Sequence, residues 1–505
     1  MSKNSRNKDT RILRRRKQKT GRRLKRKQWK EQEQPMLRGS NIHYEMGERN
    51  GGINCGGIGV FHQMVGKIGL IEEIDEKVEL LKMHVPYHES DHVLNIAYNI
   101  LVGGTRLEDI EMRRREEAFM DALGAQRIPD PTTAGDFTRR FKREDIVTLM
   151  ECINVARRRV WKEGRGEIFP EAMLDIDGTI ASTYGECKEG MDISYKGIWG
   201  YVPLIISLAN TKEVLYLVNR PGNMPSHAGA AEWIDRAIGL VKPHAVKVCL
   251  RGDTDFSLTE NFDRWAKEVD FIWGMDARGC LIKRAEELTA QEWKVLERKP
   301  KYEVKTQERR KPENVKERIV IEREYKNIRL KSEQIGEFEY QPGKCNQSYR
   351  IVVVRKNLSV ERGERVLFDD IRYFFYITTR RDLTAAEVVA LANGRCDQEN
   401  VVEQVKNGVN AMKLPVRDLE SNWAYMVMAT LAWNIKAWFG ILMPNRIRGA
   451  QVVKMEFRRF LHTLVLLPCQ IIRTGRKIVY RLMGYNDWLK DFFATWKRIK
   501  LLRLV

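Results

Sequence analysis

The middle of the chain alternates between short apolar runs, which predict strands, and longer apolar stripes, which predict helices. In the stripe over residues 226–241, apolar side chains such as Ala230, Ile234 and Val241 recur at helical spacing. The predicted elements are, in chain order, the strands 173–180, 202–208 and 214–218, the helix 226–241, the strand 245–250, the helix 258–267 and the strand 270–274. Three successive strands followed by helical crossovers predict an α/β domain.

This element order is that of the ribonuclease-H-like fold, in which the first and fourth strands are neighbours. Residues 280–379 are charged and strand-like, so we predict a β-rich insertion that interrupts this core. Helical stripes precede the core from 91 to about 162, and basic amphipathic helices follow it. The predicted domains are a basic disordered arm at 1–35, a helical domain at 36–165, the core at 166–279 and 380–445, the insertion at 280–379 and a basic helical C-terminal region at 446–505.

Positive charge is concentrated at the two ends of the chain. Of the net charge of +21, residues 1–30 carry +14 and residues 446–505 carry +11, which leaves −4 for the middle. Basic ends around a near-neutral centre indicate that the ends hold a polyanion and the centre acts on it. Between them, we interpret the mostly helical unit at 36–165 as a DNA-binding domain, in which Arg139 and Arg140 are candidate phosphate contacts.

The cysteines and the apolar segments indicate in which cellular compartment the protein is found. The eight cysteines form no Cys-x-x-Cys pair, which argues against zinc ribbons and disulfides and for a reducing interior. The N-terminus lacks the apolar core of a signal peptide. Residues 423–443 are apolar enough for a membrane span but contain Asn434 and Lys436, so we predict a buried core helix. A cytoplasmic protein is expected.

Two carboxylates follow predicted strands of the core. Asp177 ends the first strand and Asp253 follows the fourth, so the strand order places both at one sheet edge, where open α/β sheets have their sites. A helix packed across the sheet would add Glu399. Three carboxylates repel each other unless divalent cations lie between them, and oxygen ligands suit two Mg²⁺ ions, with Mn²⁺ able to substitute. Asp175, on the same strand face as Asp177, and Asp255 are competitors for the two aspartate positions.

One polar helix face follows the insertion. A capping box opens a short helix at Thr384, and a second helix begins after Gly394. At about 100° per residue, Arg395, Glu399 and Lys406 fall within roughly 40° of one another. We predict that the two cations contact DNA phosphates beside the metal ions. A solvated face with two intrahelical ion pairs gives the same pattern.

Three histidines recur at intervals of four, at His84, His88 and His92. The spacing fits a metal-binding helix face, but Pro86 interrupts the turn and no cysteine is near. We therefore interpret them as polar side chains at the start of a helix.

The chain resembles bacterial insertion-sequence transposases of the Asp-Asp-Glu class, of the group with a β-rich insertion before the glutamate, and in particular the insertion-sequence thirteen-eighty group. The similar segments are HESDHVLNIAYNILVGGTRLEDIE, RIPDPTTAGDFTRRF, LDIDGT, LVNRPGN, RGDTDF, RCDQEN and FRRFL. The family signature Tyr-x2-Arg-x3-Glu-x6-Lys is matched by Arg395, Glu399 and Lys406. Ala392 stands at the tyrosine position, which puts in doubt the phosphate contact that this tyrosine makes.

The resemblance implies an enzyme that binds the terminal inverted repeats of its element as a homodimer. It would hydrolyse one strand at each end and join the 3′-hydroxyls to target DNA, with Asp177, Asp253 and Glu399 as catalytic and metal-binding residues. Related enzymes stack a flipped base on a tryptophan of the insertion. Trp293 is the candidate here, although we favour a core aromatic. The alternatives are a metal-dependent nuclease of the same fold and a repurposed, non-catalytic DNA-binding protein.

Overall fold

The computed structural model describes residues 3–24, 42–45, 51–165, 168–298, 318–319, 322–324, 326–362, 365–475 and 477–502 of the 505-residue chain. The chain divides into two compact units. The first unit comprises Met1–Gly166, Cys187–Glu189 and Gln404–Val505, and the second comprises Glu167–Glu186 and Gly190–Glu403. The N-terminal and C-terminal parts of the chain therefore fold together.

Helices form most of the N-terminal part of the first unit. They are α1 Lys3–Leu24, α2 Ile58–Lys67, α3 Leu70–Lys77, α4 Glu89–Leu101, α5 Ile110–Arg114, α6 Glu117–Leu123, α7 Pro131–Thr138 and α8 Arg143–Arg165, with the short strand β1 at Gly52–Ile53. Asp130 caps α7 by accepting a hydrogen bond from the Thr133 N–H at 2.9 Å. The helical pattern predicted from 91 to about 162 is confirmed.

The basic N-terminus differs from the disordered arm that its composition predicts. Lys3–Leu24 is one α-helix of 22 residues, and residues 25–35 of the predicted arm lie outside the described residues. Arg16 Nη1 donates to the carbonyls of Leu482 and Gly484 at 3.0 and 2.9 Å, and Lys17 lies 3.6 Å from Asp487. These contacts with the C-terminal part of the same unit give α1 a partner that the local sequence does not reveal.

A mixed sheet forms the centre of the second unit. Its N-terminal elements are β2 Phe169–Gly178, β3 Ala181–Ser182, β4 Asp192–Ile193, β5 Trp199–Tyr201, β6 Leu204–Leu208, β7 Glu213–Val218, α9 Ala230–Val241, β8 Ala245–Gly252, α10 Phe262–Trp265 and β9 Asp270–Met275. Five strands have the order β7-β6-β2-β8-β9. β2 is antiparallel to β6 and parallel to β8, so the predicted neighbourhood of the first and fourth core strands is confirmed.

The insertion extends this sheet. It contains α11 Gly279–Glu286, β10 Lys294–Val295, β11 Lys326–Tyr340, β12 Tyr349–Arg362 and β13 Arg365–Thr378. β13 pairs antiparallel with β9, which gives one nine-stranded sheet. The next helix, α12 Ala385–Asn393, buries Val388 and Val389 in a core shared with Met173 of β2 and Val352 of β12. The insertion and the α/β core therefore stabilise each other.

The C-terminal part begins with the short helix α13 Cys396–Glu403, the last element of the second unit. It continues into the first unit as a π-helical turn at Gln404–Gly408, α14 Leu419–Leu442, α15 Arg446–Lys454, α16 Phe457–Phe460, β14 Cys469–Thr474, β15 Lys477–Leu482 and α17 Leu489–Leu501. The region 446–505, predicted to be helical, thus contains a β-hairpin, and β1 adds a third strand to it.

The apolar helix α14 belongs to the same unit as residues 446–505, on the other side of the predicted boundary at 445/446. It contacts α4, α8 and α15 of the first unit, and the rings of Phe61 and Phe439 lie 5.0 Å apart. A helix that is apolar on all sides must be surrounded, and helices from both chain ends surround this one. It is the predicted core helix. Across the described residues, none of the helices has the length and apolarity needed to cross a bilayer.

Candidate active site

Parallel pairing of β2 with β8 brings two aspartates to one edge of the sheet. Asp177 is the penultimate residue of β2, and Asp253 directly follows β8. The register pairs Asp175 with Arg251, so the same offset places Asp177 opposite Asp253. Asp253 also caps the short 3₁₀ turn after β8 by accepting a hydrogen bond from the Asp255 N–H at 3.1 Å. The sequence therefore fixes the position of both carboxylates through backbone geometry.

One guanidinium bridges these carboxylates. Arg395 Nη1 lies 3.3 Å from Asp177 Oδ2 and 3.7 Å from Asp253 Oδ2. Arg395 occupies the turn between α12 and α13, and Lys406 lies in the π-helical turn after α13. The prediction that Arg395, Glu399 and Lys406 share one regular helix face is therefore wrong, because only Glu399 lies within α13. Arg395 contacts carboxylates in this structure.

The charges at this edge are poorly solvated. Burial raises the pKa of Asp177 to about 7, with Arg395 opposing the shift and the carboxylates of Asp253 and Glu399 adding to it. Burial also raises the pKa of Asp253, again opposed by Arg395, and Asp255 adds to the increase. A divalent cation would stabilise the ionised form of both side chains. The donor set of carboxylate oxygens fits Mg²⁺.

Asp175, the competitor for the first ligand position, has a different partner. Its carboxylate is 1% exposed and accepts two hydrogen bonds from Arg251, from Nε at 2.6 Å and from Nη2 at 2.8 Å. Burial raises the pKa of Asp175, and the Arg251 guanidinium opposes the shift. The remaining Arg251 nitrogen donates to the Leu391 carbonyl at 2.6 Å. One buried ion pair thus joins β2, β8 and the end of α12.

The close approach of the Arg251 side chain explains why residue 394 is a glycine. A Cβ at this position would lie 2.6 Å from Arg251 Nη1, which is too close for a van der Waals contact. Gly394 has φ of −59°, so it ends α12 without the left-handed conformation that often selects glycine at a C-cap. The predicted capping box at the other end of α12 is confirmed: Thr384 Oγ1 accepts from the Glu387 N–H at 3.3 Å, and the Glu387 carboxylate accepts from the Thr384 N–H at 2.8 Å.

The residues beside Glu399 attach α13 to the sheet. The buried Gln398 Oε1 accepts a hydrogen bond from Ser207 of β6, and Asp397 pairs with Lys212 at 3.0 Å. Glu399 is exposed, and it is close enough to Asp177 to raise the pKa of that residue. The site therefore combines a partly buried aspartate on β2 and a second one directly after β8 with an exposed glutamate on a docked helix.

The remaining candidate residues lie in other places. Arg139 and Arg140 directly follow α7 and are exposed. Arg139 pairs with Asp136, and Arg140 Nη1 lies 3.5 Å from the Leu80 carbonyl. Both belong to the first unit, as does Lys406. The structure therefore leaves their proposed contacts with DNA as predictions.

Trp293 is buried, as expected of a core aromatic. It is 8% exposed, and the Arg355 guanidinium lies 4.1 Å from the centre of its ring. This cation covers one ring face, so a base could not stack there without displacing Arg355.

Arg251 and Gln398 are functional candidates that the sequence patterns did not single out. A signal for Arg251 is present: the offset between Asp177 and Asp253 also connects Asp175 with Arg251, two residues earlier on each strand. Gln398 carries no comparable signal, because a glutamine next to a glutamate on a helix is common.

Comparison with known proteins gives a family. The family model described as transposase DDE domain group 1 matches residues 53–504. Among solved structures, the chain is similar to one described as the cryo-EM structure of piggyBac transposase synaptic complex with hairpin DNA, with 9% identity, coverage of 81% of each chain and a TM-score of 0.35. No curated protein matches the chain.

Proposed function

Since the chain belongs to the transposase DDE domain group 1 family, we propose that it transposes an insertion sequence of the thirteen-eighty type. It binds the terminal inverted repeats, cleaves one strand at each end and joins the freed 3′-hydroxyls to target DNA. The observation that supports this best is the position of Asp177 and Asp253 at the ends of neighbouring strands, with Glu399 close enough to raise the pKa of Asp177. The strand order β7-β6-β2-β8-β9 supports a ribonuclease-H-like core.

In this proposal Asp177, Asp253 and Glu399 hold two Mg²⁺ ions, for which Mn²⁺ can substitute. When bound, the ions would activate a water or 3′-hydroxyl and stabilise the leaving oxygen of the phosphodiester. Asp177 is the first ligand, because Asp175 is held by Arg251.

DNA recognition is assigned to the first unit. Arg139 and Arg140 follow a capped helix and are exposed, so they are available to phosphates. Joining two element ends to one target requires two active sites, which favours a homodimer assembled on DNA. The protein would act at the bacterial nucleoid, where its DNA substrate is.

The function is tested with the full-length protein, Mg²⁺ and duplexes that carry the ends of the element. Strand cleavage at the end and joining to a target duplex are both expected, and both should disappear with EDTA. Cleavage without joining would instead favour a metal-dependent nuclease of the same fold. Selective binding without cleavage in Mg²⁺ or Mn²⁺ would favour a non-catalytic DNA-binding protein.

We propose that Arg395 has two successive roles. In the free protein it neutralises Asp177 and Asp253, and with metal and DNA bound it turns to a phosphate beside the metal ions. Arg395→Ala should therefore bind Mg²⁺ more tightly, because a competing cation is gone, yet join pre-cleaved ends at least about tenfold more slowly. Titration calorimetry with Mg²⁺ and single-turnover joining measure the two effects.

Lys406→Ala serves as the comparison for Arg395→Ala. Lys406 is also proposed to contact phosphate, so it should slow joining, but its loss should leave the affinity for Mg²⁺ unchanged. If both variants bind the end DNA poorly and react at the full rate once bound, the two residues only anchor DNA and the proposed role is wrong.

A further inference from the structure

A second group of metal-ligating side chains lies in the first unit, where α4 begins. The ligand atoms of His84, His88 and Glu89 all lie within 4.8 Å of one another. His88 is the N-cap residue of α4 and Glu89 its first residue, and His84 lies in the segment between α3 and α4. The group is distinct from the carboxylate site, which belongs to the second unit.

Glu89 is the best ordered of the three. Its side chain is 1% exposed, and its Oε1 accepts hydrogen bonds from the backbone N–H groups of Leu80 and Leu81 at 3.1 and 2.8 Å. Its Oε2 points to His84 Nε2 at 3.1 Å but, within the part of the chain that the structure describes, accepts no hydrogen bond. A buried carboxylate oxygen that is held in place with only an exposed imidazole beside it is costly, unless a cation neutralises its charge.

The two histidines lie close enough to Glu89 to bind one cation together with it. Both are exposed, and their rings stack with centroids 4.3 Å apart and an interplanar angle of 22°. Parallel rings do not direct two nitrogen lone pairs at one point, so one ring must turn, and exposure leaves it room to do so. His92, the third histidine of the sequence pattern, is stacked on Phe137 in the core at 4.3 Å.

We propose that His84, His88 and Glu89 form a Zn²⁺ site, with water as the fourth ligand. Two imidazoles and one carboxylate with an open position are a known zinc donor set. Bonds of about 2.0–2.1 Å in a tetrahedron separate neighbouring ligand atoms by roughly 3.3 Å, close to the present distance between His84 Nε2 and Glu89 Oε2. Anchoring of the other Glu89 oxygen by two backbone amides is the outer-shell support that such ligands usually have. This proposal differs from the interpretation of His84 and His88 as ordinary polar side chains at the start of a helix.

The site has a structural consequence for its surroundings. Leu80 donates its N–H to Glu89, and its carbonyl accepts from Arg140. Bound Zn²⁺ would connect His84, in the segment between α3 and α4, to Glu89 at the start of α4. It would thereby order the segment that Arg140 contacts.

The test uses full-length protein freed of transition metals, in excess Mg²⁺ so that the proposed carboxylate site is filled. Calorimetry with Zn²⁺ and the visible absorption of bound Co²⁺ report stoichiometry and coordination. One tight Zn²⁺ per chain and a tetrahedral Co²⁺ spectrum are expected, both lost in the double variant His84→Ala/His88→Ala, with affinity falling at least about tenfold. His462→Ala, which removes an exposed histidine elsewhere in the first unit, is the matched control and should bind as the wild type does.

A third variant tests the carboxylate. Glu89→Gln keeps the shape and the amide contacts but removes the charge, so it should also weaken Zn²⁺ binding, while metal-free samples of all variants should keep the wild-type circular dichroism. Zn²⁺ should raise the unfolding temperature of the wild type and not that of the double variant. Equal Zn²⁺ binding by the wild type and the double variant, or wild-type binding by Glu89→Gln, would overturn the proposed ligand set.

Discussion

Asp177→Ala, Asp253→Ala and Glu399→Ala are each expected to lose strand cleavage while the protein still binds the end DNA. Each change removes one of the three carboxylates that we propose as ligands of the metal ions. A loss of at least ~10³ in rate corresponds to about 4 kcal/mol of transition-state stabilisation. Single-turnover cleavage of end duplexes in Mg²⁺, beside equilibrium binding of the same duplexes, measures both properties.

Asp255→Ala is the matched control for these variants. Asp255 is exposed and lies two residues after Asp253, whose hydrogen bond comes from the Asp255 backbone rather than from its side chain. The variant should cleave at a rate within a few-fold of the wild type. Normal cleavage by Asp177→Ala, or a loss in Asp255→Ala equal to that in Asp253→Ala, would show that the ligands have been wrongly assigned.

Arg251→Met is expected to destabilise the second unit by about 3–5 kcal/mol, because it leaves the Asp175 carboxylate buried without its partner. The Leu391 carbonyl loses its donor in the same variant. Hydrogen exchange of the β2 and β8 amides, measured by mass spectrometry on the full chain, should report faster opening there. Amides of α14, which belongs to the first unit, serve as the internal reference.

Removal of both members of the pair tests whether the defect of Arg251→Met comes from the unpaired Asp175 carboxylate. The double variant Asp175→Leu/Arg251→Met replaces two buried charges with apolar groups, so it should recover much of the lost protection of β2 and β8. Wild-type protection in Arg251→Met alone would mean that Asp175 carries no buried charge. In that case the reason for assigning the first ligand to Asp177 rather than Asp175 would be lost.

The sequence predicted the elements whose signals are local. Apolar runs placed the core strands, and the known order of such strands made neighbours of β2 and β8. Thr384 and Glu387 indicated the start of α12, because a capping box is formed by two residues that are only three positions apart. The meeting of Asp177 and Asp253 followed from the strand order, because Asp177 lies at the end of β2 and Asp253 directly follows β8.

Features that depend on distant partners were not predicted. The hairpin β14–β15 gains a third strand from β1, which lies more than 400 residues earlier in the chain. The bridge from Arg395 to Asp177 and Asp253 depends on a turn between α12 and α13, where a pattern of regular helical spacing does not apply. Choosing between Asp175 and Asp177 required knowing that Arg251 faces the former, and side chains two apart on a strand have the same period.

The helical form of Lys3–Leu24 changes how its charge can act. At 1.5 Å per residue, its 22 residues make a rod of about 33 Å, close to the length of one turn of duplex DNA. Arg11, Arg14, Arg15, Arg22 and Arg23 are exposed along it, whereas Arg16 is turned towards backbone carbonyls of the protein. A coil would have to be straightened to lie along a polyanion. A helix already holds its charged side chains at regular intervals. The conformational entropy of ordering its backbone is therefore lost when the protein folds, and not when it binds a polyanion.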